Sequence, residues 1–457
     1  MASGLAVIGS GYVGTVVAAC LAHIGHRVTA VESDPQRLGA LRSGVAPVHE
    51  PGLDELLCEG LRAGNLRITD DFALAMHESD IVFICVGTPP GVDGQPDMTA
   101  MKEVAREIGA HLSSHHVIVT KSTVPVGTSR WVRTVIEDSV APPGRADDLI
   151  DVVSNPEFLR EGSAVLDFLL PDRVVIGGDS PAALDAVADV YRPIIEQRVP
   201  RFPSRRPSVP LVRTNSVTAE MVKYASNSFL ATKISFANQM ARICHSIGAD
   251  VTEVTNAMGL DQRIGPQFLS AGIGWGGSCF GKDLAALLRA AKDYGYQASI
   301  LEATIAVNED QRSFVVEQLL AHLKTLRGAR VGLLGLAFKP GTDDTRDSPA
   351  IGVAARLIDA GAVVSAYDPL VREVEWPDGL RIQDSALAAC TGADAVVLAT
   401  DWPHFTSMDL AEIRAVCRGD VLFDGRNALD PAKVEASGFR YLAVGRASAG
   451  MRSGTGI

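Results

Sequence analysis

At 457 residues, and at roughly 150 residues per domain, the chain has room for about three domains. Its 42 Lys and Arg against 54 Asp and Glu give a net charge of −12, which excludes the basic surplus that nucleic acid or an anionic membrane surface attracts. Hydrophobic residues at 47% and charged residues at 21% exclude a disordered chain, and only 5% aromatics beside abundant Ala, Val and Gly suit packed α/β layers better than an all-β sandwich.

The chain opens on a strand-like run at 5–8 with no basic, cleavable leader before it. The apolar stretch 13–24 is broken by small residues and His23 and is too short to span a bilayer. Seven cysteines, odd in number, scattered and without a CxxC pair, indicate neither a disulfide framework nor a metal site. A protein of the reducing cytoplasm is the expectation, with no metal, nucleic acid or membrane partner.

Short β-rich runs at 5–8, 27–31, 81–86, 117–121 and 174–177 alternate with Ala-rich helical stretches, which predicts a parallel, doubly wound sheet. The first turn carries Gly9-Ser10-Gly11-Tyr12-Val13-Gly14, a GxGxxG between a strand and a helix. Glycines there allow a tight turn and let backbone N–H groups approach a pyrophosphate at the helix N-terminus. Glu32 closes the second strand, where an acid accepts from ribose hydroxyls and repels a 2′-phosphate. That favours NAD over NADP, although Arg37 lies near enough in sequence to reach such a phosphate.

Prolines and arginines cluster at 198–210, and a long helix is predicted over 216–247, ending near Gly248. Glu220, Lys223 and Asn227 share one of its faces. On spacing alone a solvated polar stripe is favoured over an oxyanion-stabilising pair. The helix is also apolar on more than one face (Met221, Phe229, Ile234, Phe236, Met240, Ile243), more than one domain core needs.

The loop Gly272-Ile273-Gly274-Trp275-Gly276-Gly277-Ser278-Cys279-Phe280-Gly281-Lys282-Asp283 is the most informative segment. A cysteine directly before a helix predicted over 280–292, beside Lys282, has its thiolate stabilised by the helix dipole and a cation. Asp283, one turn on, is placed to act as a base or to orient a water. The other cysteines read as small core residues. From about 330 strand–helix alternation resumes, and 361–369 and 393–398 echo 25–35 and 79–84, so a second nucleotide-binding-type domain is expected, with a Gly- and Ser-rich tail at 447–457.

Together these residues resemble the UDP-glucose/GDP-mannose dehydrogenase family, most of all its UDP-glucose 6-dehydrogenase branch. The motifs run in family order: Val86-Gly87-Thr88-Pro89, Lys121-Ser122-Thr123-Val124-Pro125-Val126-Gly127-Thr128, Asn155-Pro156-Glu157-Phe158-Leu159-Arg160-Glu161-Gly162, Lys223-Tyr224-Ala225-Ser226-Asn227, the Cys279 loop, and Phe338-Lys339-Pro340-Gly341-Thr342-Asp343-Asp344-Thr345-Arg346. The resemblance implies two Rossmann-like doubly wound α/β domains joined by a long central helix and a helical dimerisation core. Residues 1–200 would bind NAD, 210–327 would dimerise and carry the Cys loop, and 328–446 would bind the UDP-sugar.

It further implies oxidation of a sugar C6 hydroxyl to a carboxylate with two NAD, in at least a homodimer. Cys279 would be the nucleophile, Lys223 and Asn227 the oxyanion stabilisers, and Asp283, Glu157 and Thr123 the proton-handling and hydrolytic groups. Gly9, Gly11, Tyr12, Val13, Gly14, Glu32, Arg37, Thr88, Thr123, Glu161, Lys282 and Arg346 would meet the cofactor. Glu157, Phe158, Leu159, Arg160, Lys223, Asn227, Gly276, Lys339 and Arg426 would meet the substrate, and Arg263 the substrate of the neighbouring subunit. Three positions depart from the family pattern: Glu32 where Asp is usual, Trp275 where Phe is expected, and Gly281 where Pro is usual.

Other readings stand beside this one. A 6-phosphogluconate-type dehydrogenase needs neither Cys279 nor a second nucleotide-binding domain. A short-chain epimerase needs a Tyr followed four residues later by Lys, which the chain lacks. A non-catalytic nucleotide-sugar sensor would not need the full set of polar residues. Within the family, UDP-glucose is favoured by Phe280, with dTDP-glucose and, less so, GDP-mannose as alternatives.

Overall fold

The computed structural model describes residues 4–91, 96–140, 149–202, 208–371 and 376–446; the expected tail at 447–457 and part of the 198–210 break lie outside them. The chain divides into two units: residues up to Ser226 with Ala285–Ala290, and Asn227–Leu284 with the residues from Ala291 onward.

The first unit is built on an eight-stranded sheet of β1 (Gly4–Ile8), β2 (Arg27–Val31), β3 (Leu66–Thr69), β4 (Ile81–Ile84), β5 (His116–Thr120), β6 (Ile150–Ser154), β7 (Val174–Gly177) and β8 (Leu211–Thr214). The strand order is β3-β2-β1-β4-β5-β6-β7-β8. Along β1, Leu5 and Val7 enter one core while Ala6 and Ile8 enter the other. Strands buried on both faces lose polar alternation, which is why they read as continuous apolar runs. The doubly wound expectation holds with one departure: β6 and β7 meet antiparallel, through a single pair, Ser154 and Gly177. Three strands, β3, β6 and β8, lie where the sequence pattern gave none. The order reverses between β1 and β4, and ligands of open α/β sheets bind beyond the strand ends at such a point.

The second unit carries a six-stranded parallel sheet of β9 (Arg330–Leu334), β10 (Val363–Tyr367), β11 (Arg381–Ile382), β12 (Ala395–Leu398), β13 (Val421–Asp424) and β14 (Arg440–Ala443), in the order β11-β10-β9-β12-β13-β14. Its core runs from β9 and β13 to Phe314, Val315 and Leu319 of the helix Ser299–Leu323.

The predicted long helix is present as Ser216–Ile247, 32 residues. The Asn215 side chain accepts the Thr218 N–H at 2.8 Å and caps its start. Gly248, at φ 79°, and the Ala249 N–H returning to the Cys244 carbonyl end it. Of the six apolar residues read from it, Met221, Phe229, Phe236 and Ile243 are exposed, Phe229 to 65%. Met240 packs on the core of the second unit and Ile234 on a small cluster around Trp275.

Candidate active site

The glycine loop joins β1 to the helix Tyr12–His23. A Cβ on Gly14 would sit 1.8 Å from the Gly9 carbonyl oxygen, and one on Gly9, at φ +90°, 2.8 Å from Val86 Cγ1, so only glycine fits either position. Gly11 has open space around it and caps the helix without a side-chain hydrogen bond, with no acid in the first turn. That combination suits a bound pyrophosphate. Val13 is half-buried, and the Tyr12 hydroxyl donates to Glu50 Oε2 at 2.7 Å. Glu50 also accepts the N–H groups of Gly162 and Ala164, both at 2.8 Å, and so ties the glycine loop to the segment that follows Glu161.

Glu32 is buried at the end of β2; Oε1 accepts the Asp34 N–H at 2.9 Å, and Oε2 lies 3.6 Å from Arg37 Nη1. The arginine read as able to reach a 2′-phosphate thus pairs with the acid expected to repel one. The acid that echoes Glu32 in the second unit, Asp368, is fully engaged. Its Oδ2 accepts from Leu336 N, Ala337 N and Trp402 Nε1, and its Oδ1 from Leu370 N and Val371 N. It latches the loop after β9 rather than waiting for a ligand.

Three expected residues converge in the first unit. Lys223 Nζ donates to Glu157 Oε1 at 2.6 Å, the Thr123 hydroxyl approaches the same oxygen at 3.4 Å, and the Leu159 N–H donates to Glu157 Oε2 at 2.6 Å. Lys223 and Glu157 are both buried. Burial alone would raise the Glu157 pKa, but the Lys223 ammonium and the Leu159 N–H outweigh it and hold the carboxyl below its ordinary range. A charged, buried base results. Thr88 donates to the Thr123 carbonyl at 2.7 Å, and the Phe158 ring lies 3.8 Å from the Arg173 guanidinium and 5.7 Å from Lys223 Nζ. Arg160 pairs with Asp167 at 2.6 Å, and Glu161 is half-buried.

Beneath this cluster the Lys121 ammonium donates to Asn155 Oδ1 at 3.1 Å, which also accepts from the Tyr191 hydroxyl. Burial pulls Lys121 down to about 8. Lys121 and Asn155 stood inside the quoted motifs and Tyr191 outside them, and spacing gave no reason to single out any of the three.

The second unit assembles the cysteine loop. Cys279 is half-buried and its carbonyl accepts the Asp283 N–H at 2.9 Å, which sets it at the head of the helix Phe280–Asp293. Asp283 is fully buried and takes Asn227 Nδ2 at 2.6 Å and Lys282 Nζ at 3.0 Å. Asn227 therefore is no solvated polar residue: it orients the acid one turn from the thiol.

The loop itself is pressed against 344–348. The Gly277 N–H donates to the Arg346 carbonyl at 2.9 Å, and a Cβ on Gly276 would lie 2.1 Å from the Asp347 carbonyl oxygen. Asp347 Oδ1 is held by Arg312 at 2.7 Å, while a Cβ on Gly281 would stand 3.2 Å from Asp347 Oδ2. Trp275 is buried, with Nε1 donating to Ser235 Oγ at 3.0 Å, so the larger ring has a polar partner.

Arg426 is no loose surface charge. Nε, Nη1 and Nη2 donate to the carbonyls of Ala399, Gly274 and Phe338, stitching the cysteine loop to the second sheet. Arg346 pairs with Asp344, and Lys339 Nζ lies 5.3 Å from the Phe338 ring. Arg263 is exposed and pairs with Asp261 at 2.6 Å.

Residues 3–195, 217–310 and 332–431 match, in that order, the NAD binding, central and UDP binding domains of the UDP-glucose/GDP-mannose dehydrogenase family. The UDP-glucose 6-dehydrogenase TuaD of Bacillus subtilis is 42% identical over 445 residues, 97% of this chain and 93% of that protein. The chain belongs to the UDP-glucose/GDP-mannose dehydrogenase family. This dehydrogenase is also similar to a UDP-glucose dehydrogenase from Pyrobaculum islandicum, with a TM-score of 0.87 and 37% identity covering 98% of both chains. A UDP-D-ManNAc dehydrogenase from Pyrococcus horikoshii matches with a TM-score of 0.84 and 29% identity, over 97% of this chain and 99% of that one. Membership makes it an NAD-dependent oxidoreductase with a nucleotide-binding third domain. Among the described residues no helix is long and apolar enough to cross a membrane.

Proposed function

We propose that this dehydrogenase oxidises UDP-glucose at C6 to UDP-glucuronate, a four-electron change that uses two NAD. One observation carries the reading: Cys279 stands at the head of a helix with Asp283 one turn on, held by Asn227 and Lys282. A one-step alcohol dehydrogenase has no use for that thiol. UDP-glucose is favoured because relatives named for it are 42% and 37% identical, against 29% for the UDP-D-ManNAc enzyme.

Gly9, Gly11, Tyr12, Val13 and Gly14 would hold the NAD pyrophosphate and Glu32 a ribose, with Arg37, Thr88, Thr123, Glu161, Lys282 and Arg346 as further contacts. NAD, when bound, supplies the hydride acceptor for both oxidations. Lys223 and Asn227 donate to the C6 oxygen as it gains negative charge. Glu157, ionised beside Lys223, accepts the hydroxyl proton in the first oxidation. The Cys279 thiolate then adds to the aldehyde carbon, which makes a thiohemiacetal and keeps the intermediate on the protein. Once that centre is oxidised to a thioester, Asp283, with Glu157 and Thr123, takes a proton from the attacking water; the C–S bond breaks to leave the thiolate on Cys279, and the carboxylic acid loses its remaining proton to solvent and leaves as the carboxylate.

Phe158, Leu159, Arg160, Gly276, Lys339 and Arg426 would line the sugar-nucleotide, directly or by shaping backbone. The division into an NAD domain (1–200), a dimerising core (210–327) and a UDP-sugar domain (328–446), a homodimer in which Arg263 reaches the neighbouring subunit, and a cytoplasmic location complete the reading.

The test is stoichiometric. Wild-type protein should form two NADH for each UDP-glucose consumed, without free aldehyde, and should prefer it over dTDP-glucose, GDP-mannose and UDP-N-acetylhexosamines. Near-normal two-NADH turnover in Cys279→Ala would refute the covalent route, and absence of NADH with every sugar would leave a sensor.

A further inference from the structure

The face shared by Glu220, Lys223 and Asn227 holds one member that the proposed chemistry does not use. Glu220 is buried on the long helix, one turn before Lys223. Its Oε2 accepts the Gly127 N–H at 2.5 Å, and its Oε1 accepts the Ser129 N–H at 2.8 Å and the Ser129 hydroxyl at 2.7 Å. Gly127, at φ 96°, is the cap of the helix Thr128–Ser139 and offers no side chain of its own. The carboxylate that caps this helix therefore comes from a different element, the one that carries Lys223. The capped helix is in turn the continuation of the 121–127 segment, which carries Thr123. Thr123, Pro156, Glu220 and Lys223 line one cleft.

We propose that Glu220 is a positioning residue, whose carboxylate clamps the Thr123-bearing segment to the Lys223-bearing helix and so sets the spacing of both around Glu157. The usual local cap, a Ser or Asp side chain, is disfavoured by the positive φ of Gly127, and the acceptor comes from the long helix instead. Supplying it from the long helix links, through Glu220, the two elements whose Lys223 and Thr123 reach Glu157 Oε1 at 2.6 Å and 3.4 Å. Burial pushes the Glu220 pKa up and its three donors pull it back, leaving it above the ordinary range.

The assignment rests on the proposed function, and the experiment separates the two. Wild type, Glu220→Gln and Ser129→Ala are compared for kcat and KM with UDP-glucose and NAD, normalised to the folded protein recovered by size-exclusion chromatography. Glu220→Gln keeps the volume and one acceptor, so it should fold. Its kcat should drop about ten- to hundredfold, as small misplacements of catalytic groups do, with KM for both substrates changed by less than about threefold; Ser129→Ala should fall less. A merely structural role would lower the amount of folded protein and leave kcat per folded molecule unchanged, and that result overturns the inference. A wild type inactive on UDP-glucose sinks the proposed function alone. The inference is then decided by a crystal structure of Glu220→Gln: Lys223 and Thr123 contacts to Glu157 that move support it, and contacts that stay overturn it.

Discussion

Lys223 and Glu157 form a buried ion pair at 2.6 Å, with side chains only 4% and 5% exposed. Such a pair is costly to break from one side, because the remaining charge stays out of water. Lys223→Met or Glu157→Leu alone should destabilise the first unit by about 3–5 kcal/mol, and the double variant by clearly less than the sum. Chemical denaturation of the three variants measures this.

The same pair fixes a pH dependence. The Glu157 pKa is held down in the folded chain, so its contribution is full above the ordinary glutamate value of about 4.3 and is lost as pH falls through the depressed value. The stability gap between wild type and Glu157→Gln should stay flat from neutral pH to about 5 and close only in stronger acid. A gap that closes near pH 7 contradicts the assignment.

In the proposed reading cofactor choice turns on Glu32 and Arg37, which stand 3.6 Å apart. Wild type should have a higher kcat/KM with NAD than with NADP. Glu32→Ser removes the repelling carboxylate and releases Arg37 toward a 2′-phosphate, so the preference should narrow or reverse. An unchanged ratio would show that neither residue meets the ribose.

Cys279→Ser should retain attack on the aldehyde and stall afterwards, because an alkoxide is a poorer leaving group than a thiolate. Steady-state turnover should fall by several orders of magnitude, at about 1.4 kcal/mol of barrier per factor of ten. Rapid-quench measurement should find a sugar adduct on the serine.

Phe229, Ile243 and Ile247 are 65%, 47% and 72% exposed on the long helix, an apolar surface that a homodimer would cover. Phe229→Asp with Ile243→Asp should shift the sedimentation coefficient to that of a monomer and lower activity. A wild-type monomer with full activity at high dilution contradicts the dimer.

Gly276→Ala places a Cβ 2.1 Å from the Asp347 carbonyl oxygen. It should displace the cysteine loop, with a stability cost of about 1–3 kcal/mol and loss of turnover, while NAD binding by the first unit persists. Normal turnover would show that the loop yields freely.

The sequence by itself determined the parallel α/β class, the glycine turn, the long helix and the cysteine loop. Each of these rests on local rules: β-rich runs, the steric demand for glycine, helical spacing and a cap. It also marked Asp283 one turn from Cys279, and Glu220, Lys223 and Asn227 on one helix face, but left that face open to a solvated reading. Only the tertiary structure decided that Lys223 meets Glu157, that Asn227 orients Asp283, and that Arg426 spends its guanidinium on three carbonyls. The partners of Glu220, and the roles of Glu50 and of the Arg312–Asp347 pair, were illegible for the same reason. Each acts on backbone groups 35 to 114 residues away, and no spacing rule connects a buried carboxylate to an amide that only folding brings to it.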